Sequence, residues 1–164
     1  MKPAIVLGTH TMGLGVIRAL GMNRVPVIAV YYDRNDMGYV SKFVTESIHF
    51  PHPELEETLF VECLIELASR FPESPLFPVS DETLKIVSRH KSRLSKYYRV
   101  ACAEWEIVRK FIEKDTTYDL AFAEGIPIPQ TAVPRSEEEV IRFAKGLEFP
   151  CLVKPIESHR YYAV

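Results

Sequence analysis

The chain has 164 residues, enough for one domain and part of another, and 47% of them are hydrophobic against 26% charged. That balance, spread in short alternating runs, belongs to a folded globular protein and excludes a disordered or fibrous one. Lys and Arg number 20 against 22 Asp and Glu, with no block of like charges, so neither nucleic acid nor an anionic membrane is an expected partner.

The opening apolar run, Ala4 to Leu7, is too short for a secretory signal, and no stretch approaches the length of a membrane span. A cytoplasmic protein is expected. Cys63, Cys102 and Cys151 are widely spaced and outside any metal-ligand pattern; they read as reduced, with Cys151 in its apolar setting read as a small core residue.

In chain order, Ala4 to Leu7 is a compact apolar strand ending at Gly8, and Met12 to Leu20 repeats apolar residues at helical spacing up to Gly21. Val25 to Tyr32 is a second strand with a charged tip from Asp33 to Asp36, which completes a βαβ unit. A short strand over Ser47 to Phe50 follows, then a helix from Pro53 to Phe71 with Leu55, Leu59, Phe60, Cys63, Leu64 and Leu67 as its apolar stripe. Leu76 to Val79 reads as a strand, Asp81 to His90 as a helix and Val100 to Ala103 as a further short strand.

Around Trp105 the rhythm changes, and a boundary is expected near residues 103 to 113. Helices from Ala103 to Ile112 and Asp115 to Glu124 lead into Gly125-Ile126-Pro127-Ile128-Pro129, whose prolines mark a connection. A strand at Gln130 to Val133, a helix opened by a Ser136/Glu139 capping box and a strand at Cys151 to Lys154 complete the reading. Such alternation predicts an α/β chain: a Rossmann-like parallel sheet in residues 1–110, then a small α+β piece in residues 111–164.

Candidate chemistry begins at the turn from Gly8 to Gly15, where free N–H groups at a helix start favour an anion. Its spacing departs from the GxGxxG of dinucleotide-binding folds, and close helix packing is the alternative reason for its glycines. Asp33 stands where a ribose-binding acid would sit in a nicotinamide enzyme. Ser80, Asp81 and Glu82 lie just past a buried strand, where open α/β sheets bind ligands; Ser80 caps the next helix alone or caps it and touches substrate. Lys154 closes an apolar segment and calls for an anionic partner, and Lys114 is a second candidate cation.

The order Lys114, helix, Gly125-Ile126-Pro127-Ile128-Pro129, strand, helix, Phe149-Pro150, Val153-Lys154-Pro155 resembles the ATP-grasp superfamily over essentially the whole chain. Within it, the likeness is to the carboxylate-amine ligase-like members related to carbamoyl-phosphate synthase and D-aspartate ligase. The resemblance implies a pre-ATP-grasp substrate domain followed by the start of the nucleotide-binding domain. It implies ATP contacts at Lys114 and Lys154; the usual glycine-rich loop is replaced by Glu157 to Tyr162, where either His159 and Arg160 contact phosphate in place of backbone amides or the segment is a surface loop. Substrate contacts are implied at Gly8, Thr9, His10, Gly13, Ser41, Ser80, Asp81 and Glu82.

It further implies ATP and Mg2+ as cofactors, a small carboxylate joined to an amine or thiol through an acyl phosphate, and room for a homodimer. The Mg2+-binding acids and Asn belong to a second half expected beyond Val164, so no metal ligands are expected here, no catalytic residue is assigned, and this front-end fragment is expected to be inactive alone. Two other readings stay open: a nicotinamide-dependent oxidoreductase domain and a non-catalytic module that binds a small acid.

Overall fold

A computed structural model describes residues 1–154, which divide into two compact units, Met1–Val108 and a second from Arg109 onward. In the first, five strands make one parallel sheet: β1 (Ala4–Leu7), β2 (Val27–Tyr31), β3 (Glu46–His49), β4 (Pro75–Pro78) and β5 (Arg99–Val100), in spatial order β3-β2-β1-β4-β5. β1 is fully buried and β2 nearly so, which is why both read as unbroken apolar runs.

Successive side chains of a strand point to opposite faces, and two cores result. Ile5, Leu7, Ile28, Val30 and Leu76 face α2 (Glu57–Leu67) and α3 (Asp81–Arg89) through Phe60, Val61, Leu64, Ile86 and Val87. Val6, Val27 and Ala29 face α1 (Thr11–Met22) through Ile17, with Phe43 and Phe77 packed at the margin. Chain order reverses between β1 and β4, so the loops leaving these neighbouring strands part to opposite faces and open a crevice at their carboxyl ends.

Glycine sets the approach of α1. Gly8 has φ +95°, a conformation that other residues resist, and a β-carbon on Gly13 would stand 2.2 Å from the Gly8 carbonyl oxygen. Gly15, on the same helix, faces open space.

α2 starts at Glu57, later than the apolar pattern suggests, leaving Leu55 81% and Leu59 45% exposed. Its buried stripe is Phe60, Val61, Leu64 and Leu67. The preceding turn is set by prolines 51 and 53 and by the Glu54 amide donating to His52 Nδ1 at 3.3 Å. α3 is followed by a short α4 (Lys91–Leu94), and α5 (Trp105–Ile112) contains the division between the units.

In the second unit, α6 (Lys114–Ala123) ends at Gly125, φ +68°. The Ile126 amide donates to Ala121 O at 2.9 Å and the Gly125 amide to Phe122 O at 3.1 Å, a Schellman stop. Ser136 caps α7 (Glu137–Ala144) by accepting from the Glu139 amide at 3.3 Å. The expected box is only half formed, because the Glu139 carboxylate reaches the Arg135 amide at 2.7 Å.

Gln130–Val133 and Cys151–Lys154 are not strands, contrary to the sequence reading. A strand exists only through a pairing partner, and neither segment has one among the described residues. Cys151 is therefore exposed, and Leu152 and Val153 are 83% and 98% exposed. No helix among the described residues is long and apolar enough to cross a membrane.

The glycine geometry gives a paired prediction. Gly13→Ala drives a methyl into a fixed carbonyl and should cost about 3 kcal/mol or more in urea unfolding. Gly15→Ala should be neutral or stabilise by up to about 1 kcal/mol.

Candidate functional site

Three chain segments meet at the carboxyl ends of β1, β2 and β4. Gly8 leaves β1, and a β-carbon there would lie 3.1 Å from the Tyr32 hydroxyl and 3.3 Å from Val79 Cγ2. The glycine thus allows the tips of the flanking strands to close on the turn. Tyr32 Oη donates to Glu82 Oε2 at 3.2 Å, and its ring packs edge-on against His52 at 5.2 Å and Phe60 at 6.4 Å.

Burial raises the Tyr32 phenol well above its ordinary range; the hydrogen bond with Ser80 opposes that rise and the Glu82 carboxylate adds to it. The phenol therefore keeps its proton and serves as a fixed donor.

Ser80 is the N-cap of α3. Its Oγ accepts from the Thr83 amide at 3.3 Å, and the Ser80 amide donates to Thr83 Oγ1 at 3.2 Å, a complete capping box. Asp81 and Glu82 occupy the first turn of α3, where the helix dipole favours carboxylates; Asp81 is exposed and Glu82 half-buried.

His10 is the N-cap residue of α1 without a side-chain cap bond. Its Cδ2 lies 3.7 Å from the Gly8 β-carbon position, and its Nε2 is shut off from solvent with no hydrogen-bond partner among the described residues.

Thr9 is fully buried and donates from both N and Oγ1 to Asp36 Oδ2, at 3.1 and 2.9 Å. Gly8, His10, Ser80 and Glu82 thus converge at one mouth with Asp81 beside them, and Gly13 packs beneath. Ser41 sits in a turn farther along, its amide donating to Gly38 O at 3.0 Å. The sequence does not single out Tyr32 or Asp36; an aromatic at a strand end and an acid four residues beyond it are the only signals. Asp33 spends its Oδ1 on the Asn35 amide at 2.8 Å and the Asn35 side chain at 3.0 Å, a local Asx turn.

The remaining candidates belong to the second unit. Lys114 opens α6, and Lys154 is exposed, so no desolvation penalty attaches to it as the sequence suggested. His159 and Arg160 lie outside the described residues. A surface groove of about 480 Å³ in this unit is lined by Gln130, Val133, Glu139 and Arg142 among others. Among the described residues no group of three or more His, Cys, Asp or Glu is placed to hold a metal ion. Burial raises the thiols of Cys63 and Cys102 above their ordinary value.

No family model matches the sequence. The D-aspartate ligase of Enterococcus faecium (strain Aus0004) is 26% identical over 117 residues, 66% of this chain and 28% of that protein. An L-amino acid ligase from Bacillus licheniformis superposes with a TM-score of 0.65 at 12% identity, covering 79% of this chain and 30% of that one. The biotin carboxylase domain of the Hydrogenobacter thermophilus 2-oxoglutarate carboxylase, solved with MgADP, ADP and bicarbonate, gives 0.60 at 18% identity, covering 92% and 34%. The chain spans about a third or less of the length of each.

The cap at the crevice is directly testable. Ser80→Ala should lower stability by about 1 kcal/mol in urea, and Ser80→Asp, which retains a capping oxygen, should restore most of it.

Proposed function

We propose that this chain, a homologue of D-aspartate ligase with the fold of the N-terminal part of ATP-grasp enzymes, supplies the front of an ATP-dependent carboxylate-amine or carboxylate-thiol ligase. Residues 1–110 are read as the domain that holds the acid substrate and residues 111–164 as the start of the nucleotide-binding domain.

The observation that carries this reading is the convergence at the β1/β4 crevice. There the His10 ring and the Ser80 hydroxyl are hydrogen-bonding groups for a small acid, the Tyr32 phenol holds Glu82 in place with its one proton, and Glu82 and Asp81 suit a positive group on the same molecule. The lone buried Nε2 of His10 fits this role, because a buried polar atom is costly until a partner meets it.

For ATP, Lys114 and Lys154 are compact, strongly hydrated charges suited to phosphate oxygens, and His159 and Arg160 extend the same set. Exposed Lys154 meets a phosphate without a prior desolvation cost. Mg2+ requires oxygen ligands that the described residues do not group together, so its acids are assigned to the rest of the nucleotide-binding domain.

In the reaction so read, a carboxylate oxygen attacks the γ-phosphorus of ATP and ADP leaves. The amine or thiol then attacks the acyl carbon and phosphate departs. The chain's contribution is to fix the acid and to neutralise phosphate charge, which together supply most of the catalysis in phosphoryl transfer. The segments at 130–133 and 151–154 are expected to become strands once paired within the complete nucleotide-binding domain.

The test uses protein carrying that complete domain, with MgATP, an amine donor and a panel of the standard L-amino acids and D-aspartate, followed by ADP release. Lys154→Ala should lower turnover by about a hundredfold or more with the circular dichroism spectrum unchanged. Undiminished turnover would remove Lys154, and the nucleotide site built on it, from the account.

A further inference from the structure

The connection from β2 to β3 spans residues 32–45. It folds back over the β1–α1 turn, and its bonds to Thr9 account for every polar group that Thr9 has. Asp36 Oδ2 accepts the Thr9 amide at 3.1 Å and the Thr9 hydroxyl at 2.9 Å, and the Gly38 amide donates to Thr9 O at 2.8 Å. A β-carbon on Gly38 would stand 2.5 Å from that same oxygen, so only glycine fits this contact.

The rest of the segment is equally built. Tyr39 stacks on Tyr31 with ring centroids 4.1 Å apart and a 14° interplanar angle, and its hydroxyl donates to Arg34 O at 3.2 Å. The Ser41 amide closes onto Gly38 O. At its start, the Asx turn of Asp33 fixes the exit from β2.

The consequence concerns the anion site expected at the head of α1. The Thr9 amide already faces a carboxylate, and that carboxylate belongs to the chain itself. Thr9 is fully buried, so a ligand does not reach it. We propose that residues 33–41 form a strap clamped to the turn by Asp36. In this arrangement Asp36 is a positioning residue, and through Thr9 it sets the place of Gly8 and His10 at the acid-substrate mouth. The proposal rests on the ligase reading for the identity of that mouth; the clamp itself does not. Thr9 then serves as the anchor of the strap and not as a substrate contact.

The test compares wild type, Asp36→Ala and Asp36→Asn in protein with the complete nucleotide-binding domain. Amide hydrogen exchange at Thr9 and Gly38 should accelerate by about tenfold or more in Asp36→Ala, the loss of a charge-assisted pair, with β1 and β2 amides unchanged. With MgATP and the acid from the amino-acid panel that releases most ADP, KM for that acid should rise about tenfold while kcat and KM for ATP move by less than about twofold. Asp36→Asn, which keeps a side-chain oxygen as acceptor, should fall between the other two in both readouts.

Exchange at Thr9 and Gly38 that is unaltered in both variants overturns the clamp. A fall in kcat with the acid's KM unchanged overturns the positioning role. If wild type releases no ADP with any acid of the panel, the ligase reading fails by itself, and exchange alone decides the strap: faster exchange in Asp36→Ala upholds it and unchanged exchange rejects it.

Discussion

The Gly8 carbonyl oxygen and the first turn of α1 approach so closely that no side chain fits between them, and the geometry of the crevice depends on that approach. With α1 held there, the β1–α1 turn takes its positive-φ bend and the Tyr32 hydroxyl and Val79 close on it from the flanking strands. A methyl at either glycine would part these tips. The polar groups of the mouth can then be organised without strain: Ser80 is fixed by its reciprocal bonds with Thr83, Glu82 by the Tyr32 phenol, and Thr9 by Asp36. Burial on both faces of β1 and β2 supplies the rigid floor.

The second unit has a different character. α6 and α7 carry no buried residue, and Phe122, Ile126, Phe149, Leu152 and Val153 are all largely exposed. Local devices, the Gly125 stop and the Ser136 cap, fix where these helices end and begin. They do so without tertiary packing, since capping satisfies backbone groups within a turn or two of the chain. Strand formation has no such local route, and this separates the helices that form here from the segments at 130–133 and 151–154, which are unpaired among the described residues.

The same distinction explains what could be read from the sequence. The βαβ units were legible because strands buried on two faces must be apolar throughout and their helices must repeat at helical spacing, as Ala4 to Leu7 and Ile17 illustrate. Ser80 was legible as a cap, and the carboxyl ends of the strands as the general place where open α/β sheets bind ligands. The roles of Tyr32 and Asp36 were not, because each depends on a partner distant in sequence: Glu82 lies 50 residues beyond Tyr32, and Thr9 lies 27 before Asp36. Leu55 looked like part of a helix stripe by spacing alone, but the prolines on either side of His52 delay the helix past it. Lys154 looked costly because its neighbours are apolar, yet those neighbours are themselves in solvent.

The central claim is that the crevice between β1 and β4 receives the acid substrate. An amide NMR titration of the protein with D-aspartate and the standard amino acids in the presence of MgATP tests it most directly. The account predicts saturable shifts concentrated at Gly8, His10, Tyr32, Ser80 and Glu82 for the acid that is turned over. Saturable shifts confined to residues away from the carboxyl ends of β1 and β4, with these five unmoved, would contradict it.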